Sequence, residues 1–217
     1  MRAVFTSGNR LGSAASLAVG LQTGDNARFL RQWWEVSRAR SAFACTSREE
    51  AAASGARWFP YNKGGEFRKW YGNQEYVVNW EHDGAEIFDF KPRSVIRNPA
   101  TYFSPSVSWS DISSGEAAFR RFPTGFIHDV KGMSAFGDAD LLDRVAVLMN
   151  SSFARTLLAA IAPTLNFQVG DVGKVPVASD LAGLAGKADR SVAAARTDWD
   201  CFETSWSFEQ NPLVALA

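Results

Sequence analysis

YFSPSVSWSDISSGEAAFRRFPTGFIHDVK, residues Tyr102–Lys131, decides the fold class. Tyr102, Val107, Trp109 and Ile112 lead to a turn at Ser113, Ser114 and Gly115. Phe119 and Phe122 follow, then a Pro123-Thr124-Gly125 turn, then Phe126, Ile127 and Val130. Aromatic and β-branched positions broken by Ser, Gly and Pro turns predict strands.

The pattern changes on the C-terminal side. Asp138 or Asp140 is placed to cap a helix containing Leu141, Leu142, Val145, Leu148 and Met149. A second helix, Phe153 to Ile161, is closed by Pro163. Phe167, Val169, Val172, Val175 and Val177, with glycines at 170 and 173, predict short extended pieces around turns. Ser179 to about Phe202 is rich in Ala, Asp and Lys and is expected to be helical.

On the N-terminal side, residues 1–27 are rich in Gly, Ser and Ala and predict a linker or a loop lying on other elements. Phe29, Leu30, Trp33, Trp34 and Val36 mix helical and strand spacing. Ser47 with Glu50 three residues later predicts a capped helix to Ala56. Residues 57–80, with Gly64, Gly65 and Gly72 among aromatics, predict loops and short strands. Asp83 to Phe90 reads as a short helix ended by Pro92. The sum is an α+β fold with a β-rich centre flanked by helices.

Composition sets outer bounds. The chain has 217 residues, 46% hydrophobic and 21% charged, enough for one large domain or two small ones with a real core. Lys plus Arg equals Asp plus Glu at 23 each, so net charge neither announces nor excludes a nucleic-acid partner; a local patch decides. Cys45 and Cys201, with isolated His82 and His128, supply no metal spacing and no disulfide framework, which fits a cytoplasmic protein. No run approaches the ~20 apolar residues of a membrane span.

The chemistry-bearing stretch is RWFPYNKGGEFRKWY, Arg57 to Tyr71. Arg57, Lys63, Arg68 and Lys69 stand against one acid, Glu66, with six rings between them. Cations meet phosphates, Asn and Arg read base edges, and rings stack on bases. The plain alternative is an aromatic core with Lys and Arg stems across the rings. Lys91, Arg93, Arg97 and Asn98 form a second polar set, and Arg120, Arg121 and Lys131 a third. Adjacent strand residues point to opposite faces, so at most one of Arg120 and Arg121 serves a given partner. No Gly-x-Gly, phosphate-binding loop or Gly-x-Ser-x-Gly elbow occurs. His128-Asp129 are neighbours without being a dyad.

Six stretches carry a family resemblance: GLQTGDNARFLRQWWEV (Gly20–Val36), WFPYNKGGEFRKWYGNQEYVVNWEHDG (Trp58–Gly84), SVIRNPATYF (Ser94–Phe103), SWSDISSGEAAFRRFPTGFIHDVKG (Ser108–Gly132), LNFQVGDVGKVPV (Leu165–Val177) and DWDCFETSWSF (Asp198–Phe208). In this order they resemble the target-recognition region of the PglX family, the adenine-specific DNA methyltransferases of BREX phage-defence systems. The resemblance implies a division into 1–100, a linker and aromatic/basic segment; 101–178, a target-recognition-like domain; and 179–217, a helical and truncated end. It implies double-stranded DNA as partner, with the missing catalytic domain and further phage-defence subunits alongside. S-adenosylmethionine serves the full-length family. Its cofactor loop and its Asn-Pro-Pro-Tyr are missing here; Asn98-Pro99-Ala100-Thr101 and Asn211-Pro212-Leu213 do not substitute for them. The expectation is therefore no catalytic, cofactor-binding or metal residue, and no activity alone. Lys63, Arg68, Lys69, Arg93 and Arg97 are expected on phosphates. Asn98, Ser110, Arg120 and Arg121 are expected at base edges, and Asn62 and Lys131 complete the DNA-binding set. The alternative is a protein-interaction module of the same defence complex without DNA binding of its own. An autonomous enzyme is the weakest reading.

Overall fold

The computed structural model describes residues 9–112, 115–164, 166–177 and 185–215. The turn residues Ser113 and Ser114 and the start of the helix expected from Ser179 lie outside these. The strands are β1 (Asn9–Arg10), β2 (Ser16–Ala18), β3 (Leu30–Gln32), β4 (Trp58–Asn62), β5 (Tyr76–Asn79), β6 (Ser106–Ser110), β7 (Phe119–Phe122), β8 (Ile127–His128), β9 (Gly132–Phe136) and β10 (Pro176–Val177). One sheet has the order β2-β9-β6-β7, the other β3-β5-β4-β8, and β1 pairs with β10. With the helices, this is the expected α+β fold.

The deciding stretch forms the β6–β7 hairpin, with Ser106 opposite Phe122 and Trp109 opposite Phe119. Its last part leaves that sheet. β8 runs parallel to β4 in the other one, with Tyr61 opposite Ile127 and Asn62 opposite His128. Both sheets therefore draw strands from either side of residue 100.

Helices Ala139–Met149 and Ser152–Ile161 cover the first sheet, and each begins where a side chain satisfies an orphan N–H. Asp138 accepts from Leu141 N at 2.8 Å and Ser151 from Ala154 N at 3.2 Å. Their apolar faces meet Val107, Trp109, Phe119 and Ala135 in one core. Trp109 is fully buried and its indole N–H donates to Phe167 O at 2.7 Å, so a polar atom is not stranded there. A second core joins Phe29, Phe59, Tyr61, Trp80, Phe103 and Ile127 around the other sheet.

Ser47 caps Arg48–Ala53 through Glu50 N, while the Glu50 carboxylate takes the Thr46 N–H and hydroxyl, each at 2.7 Å. The segment expected from Asp83 becomes Glu81–Asp89, with left-handed His82, Asp83 and Gly84 in its first turn. The mixed spacing after residue 26 resolves into three short elements: a helical turn Asn26–Phe29, β3 and a 3-10 turn Trp33–Glu35.

Two expectations are corrected, and one strand goes unannounced in the sequence. The Gly/Ser/Ala-rich start is not a linker throughout: β2 pairs with β9 and β1 with β10, because partners distant in sequence supply the ladder that local composition does not signal. Residues Val169–Val172 form a helical turn, with Gly173 N–H donating to Val169 O at 2.9 Å. β9 carries no strand pattern, since all five of its residues are buried and alternation is lost.

Candidate nucleic-acid interface

The two sheets are stitched together at Asn62. Its Nδ2 donates to Ser108 Oγ at 2.6 Å, and its Oδ1 accepts from Gly64 N at 3.2 Å. Its backbone O takes the Asp129 N–H at 2.9 Å. Asn62 is fully buried, with its side-chain amide and backbone O bonded inside the protein, so its expected place in the DNA-binding set is withdrawn.

From this seam the chain turns outward through Gly64 and Gly65, both with positive φ (80° and 121°). A side chain at 64 would put Cβ 2.7 Å from Lys131 O, so glycine serves both conformation and proximity. The loop returns to the sheet at Trp70, whose N–H donates to Phe119 O and whose O accepts from Arg121 N, each at 2.8 Å. Residues 63–70 thus form a clip whose ends are fixed to β4 and β7.

Arg120 holds the middle of the clip. Its guanidinium reaches Arg68 O at 3.2 Å, Glu66 O at 3.5 Å and Ser110 Oγ at 3.0 Å; Ser110 in turn donates to Gly65 O at 2.8 Å. Arg120 is 1% exposed, and burial, with Arg68 nearby, lowers its pKa to about 10. It remains charged at neutral pH. A residue this buried cannot reach a base edge, so the expectation for Arg120 is corrected. Its neighbour points elsewhere, as strand geometry demands: Arg121 Nε pairs with Asp143 at 3.1 Å.

The rings expected to stack are mostly core. Phe59 and Tyr61 are fully buried and Tyr71 nearly so, whereas Phe67 at the clip's apex is 53% exposed. A cleft of about 840 Å³ runs along the clip, lined by Lys63, Arg68, Phe67, Tyr76, Trp199 and Phe202 with the acids Glu66, Glu75 and Glu203. Burial, with Glu66 close by, raises the Glu75 pKa. Across the clip, Phe67, Ser110, Ile112 and Arg120 line a smaller cleft of about 330 Å³. Lys63 also shares a third cleft, about 460 Å³, with Lys131, Gln22 and Asn26.

The structure brings Lys63, Arg68, Ser110 and Lys131 around the clip. Arg93, Arg97 and Asn98 line none of these clefts. Asn98 is left-handed and its Nδ2 donates to Val19 O at 2.9 Å. Availability differs as well. Arg68 is paired with Asp198 at 2.9 Å and lies over the Trp199 ring, and Lys131 is paired with buried Asp111. Among the described residues Lys63, Lys69, Arg93 and Arg97 have no carboxylate partner; Lys69 Nζ donates to Asn150 O at 3.3 Å.

His128 is buried and its pKa falls to about 4 by desolvation, so the ring is neutral, with Nε2 2.8 Å from Thr101 Oγ1. Asp129 accepts from the buried Tyr61 hydroxyl at 2.6 Å. Both are tied into the fold. The Asp198–Phe208 segment packs on the same chain: Trp33 Nε1 donates to Thr204 O at 2.9 Å, and Trp206 meets Phe43 and Phe126. Among the described residues no group of three or more His, Cys, Asp or Glu is placed to hold a metal ion, and no helix is long and apolar enough to cross a membrane.

Most of the chain is similar to segments of two much longer proteins. It is 38% identical over 213 residues, 94% of the chain, to the adenine-specific methyltransferase PglX of Lacticaseibacillus casei (strain Zhang). It is 38% identical over 191 residues, 86% of the chain, to the adenine-specific methyltransferase BrxX of Escherichia coli O9:H4 (strain HS). The chain spans 18% and 15% of the lengths of these relatives. No family model matches it. The resemblance carried by the six stretches is borne out.

Proposed function

We propose, from this kinship with adenine-specific methyltransferases, that the chain is the DNA-recognition part of such an enzyme in a BREX phage-defence system. The methyl donor, S-adenosylmethionine, and the transfer chemistry belong to other parts of the full-length protein, and the isolated chain is inactive in methyl transfer. In this reading residues 101–178 form the recognition domain together with strands contributed by residues 1–100.

The observation that carries the reading is the clip at residues 63–70. It is fixed at both ends and in its middle, yet it holds the exposed Phe67 ring and half-exposed Lys63 on the lining of the large cleft, with half-exposed Lys69 beside the ring and its Nζ on Asn150 O. Rigid display of cations suits a phosphate backbone, whose spacing is itself regular. Lys63, Lys69, Arg93 and Arg97, which lack carboxylate partners among the described residues, are the residues assigned to phosphates. Arg68 and Lys131 would exchange their carboxylates for phosphate on binding. Ser110 and Asn98 remain the candidates for base edges, both already committed to backbone carbonyls in the free chain.

The test is a salt titration of duplex affinity. Each phosphate contact contributes about −0.9 to the slope of log affinity against log salt, so Lys63→Gln with Lys69→Gln is expected to make the slope shallower by about 1.8. An unchanged slope removes the clip from the interface. Absence of salt-sensitive binding by the parent chain, with capture of a protein from the same defence system, would favour a protein-interaction module.

A further inference from the structure

Phe67 is displayed in a way that ordinary surface phenylalanines are not. Isolated apolar side chains at a surface need no explanation. Here, however, the peptide carbonyls on either side of the ring, Glu66 O and Arg68 O, both accept from the buried Arg120 guanidinium. Asn73 Nδ2 adds a third restraint by donating to Glu66 O at 2.9 Å. Gly65 O is held by Ser110. A buried arginine with no carboxylate partner among the described residues costs desolvation, and what that cost secures is the position of one exposed ring. Ile112, 64% exposed, lines the same small cleft as Phe67.

We infer that Phe67, with Ile112 beside the same cleft, is a wedge that enters the base stack of duplex DNA. The inference rests on the DNA-binding reading above and deepens it. Apolar side chains inserted between base steps unstack and bend a duplex, which requires a tip that does not fold back under load. The clip supplies that stiffness. Two cations stand by for phosphates: Lys63 lines the same cleft as Phe67 and Lys69 Nζ lies 5.8 Å from the Phe67 ring centroid, neither with a carboxylate partner among the described residues, whereas Arg68 is paired with Asp198 and Glu66, Glu75 and Glu203 line the cleft. Phosphates on either side of the opened step would meet these cations while the ring occupies the gap. An enzyme that works on a base must also open the stack, so a wedge beside the recognition surface is chemically consistent with the methyltransferases this chain resembles.

The test compares the full chain on two otherwise identical duplexes, one fully paired and one with a central abasic site, where the gap exists beforehand. A wedge binds the second more tightly because the unstacking cost is already met, by about tenfold or more. Phe67→Ala is expected to lose that preference while keeping the salt slope and the thermal midpoint of the parent chain, since the ring is exposed. Phe67→Trp is expected to keep the preference. Equal affinity of the parent chain for both duplexes, or an undiminished preference in Phe67→Ala, overturns the wedge and leaves DNA binding standing. No salt-sensitive binding to either duplex overturns both readings at once.

Discussion

Gly132→Ala is expected to destabilise the fold by about 3 kcal/mol or more, a large share of a small domain's stability. Gly132 opens β9 directly against Asn62. A Cβ at this position would lie 2.3 Å from Asn62 O and 2.8 Å from its Oδ1. The first of these is backbone, which cannot swing aside. Asn62 is itself held by Ser108, Gly64 and Asp129, so yielding at one contact strains the other three. The bonds from Asn62 Nδ2 to Ser108 Oγ and Gly132 O join the two sheets, and opening them exposes both cores together. Gly170→Ala is the matched control. Nothing lies within 4 Å of its added Cβ, and it sits in the helical turn Val169–Val172, where alanine is favoured by about 0.5–1 kcal/mol over glycine. Urea unfolding of the two variants should separate them widely. Equal midpoints would show that the seam does not depend on close approach at Gly132.

Arg120→Met is expected to release the clip. Hydrogen bonds from a charged donor contribute about 1.5–3 kcal/mol each, and the guanidinium serves two carbonyls and one hydroxyl of this region. Local opening of residues 64–69 should therefore become about a hundredfold more frequent, which native-state hydrogen exchange reads directly. Global stability should move much less, by roughly 1–2 kcal/mol, because methionine fills similar space and removes a buried, unneutralised charge. This split between local and global effects is the signature of a positioning residue. Exchange at 64–69 that stays at the parent level would show that the loop's order comes from its ends alone.

These two positions also mark what the sequence could and could not disclose. Capped helices were legible because Asp138 stands just before a periodic apolar run and Ser47 stands three residues before Glu50, and both caps act locally. The β6–β7 hairpin was legible because its aromatics and turns alternate within one short stretch. β9 was not: GMSAF is small and buried throughout, so neither period survives, and its role as the strand between β2 and β6 is set by partners far away in the chain. The same limit governs the site. Arg57–Tyr71 drew attention to the segment that forms the clip, but composition could not say that Phe59 and Tyr61 face inward while Phe67 faces out. The Arg120-Arg121 pair advertised positive charge, and strand alternation already required the two to part. Only the packing around β7 disclosed that one supports the loop and the other meets Asp143. Asn62 resembled a base reader for an equally local reason. Its two neighbours in sequence gave no hint that Ser108 and Gly132 would close over it.

The most direct measurement is a transplant. Residues 1–217 of this chain replace the matching segment of the Escherichia coli BrxX relative, and methylated adenines are mapped across genomic DNA. If this polypeptide chooses the DNA sequence, the hybrid methylates adenines in a motif different from that of unaltered BrxX. A hybrid that remains active and modifies the unaltered motif would contradict the assignment of recognition to this chain.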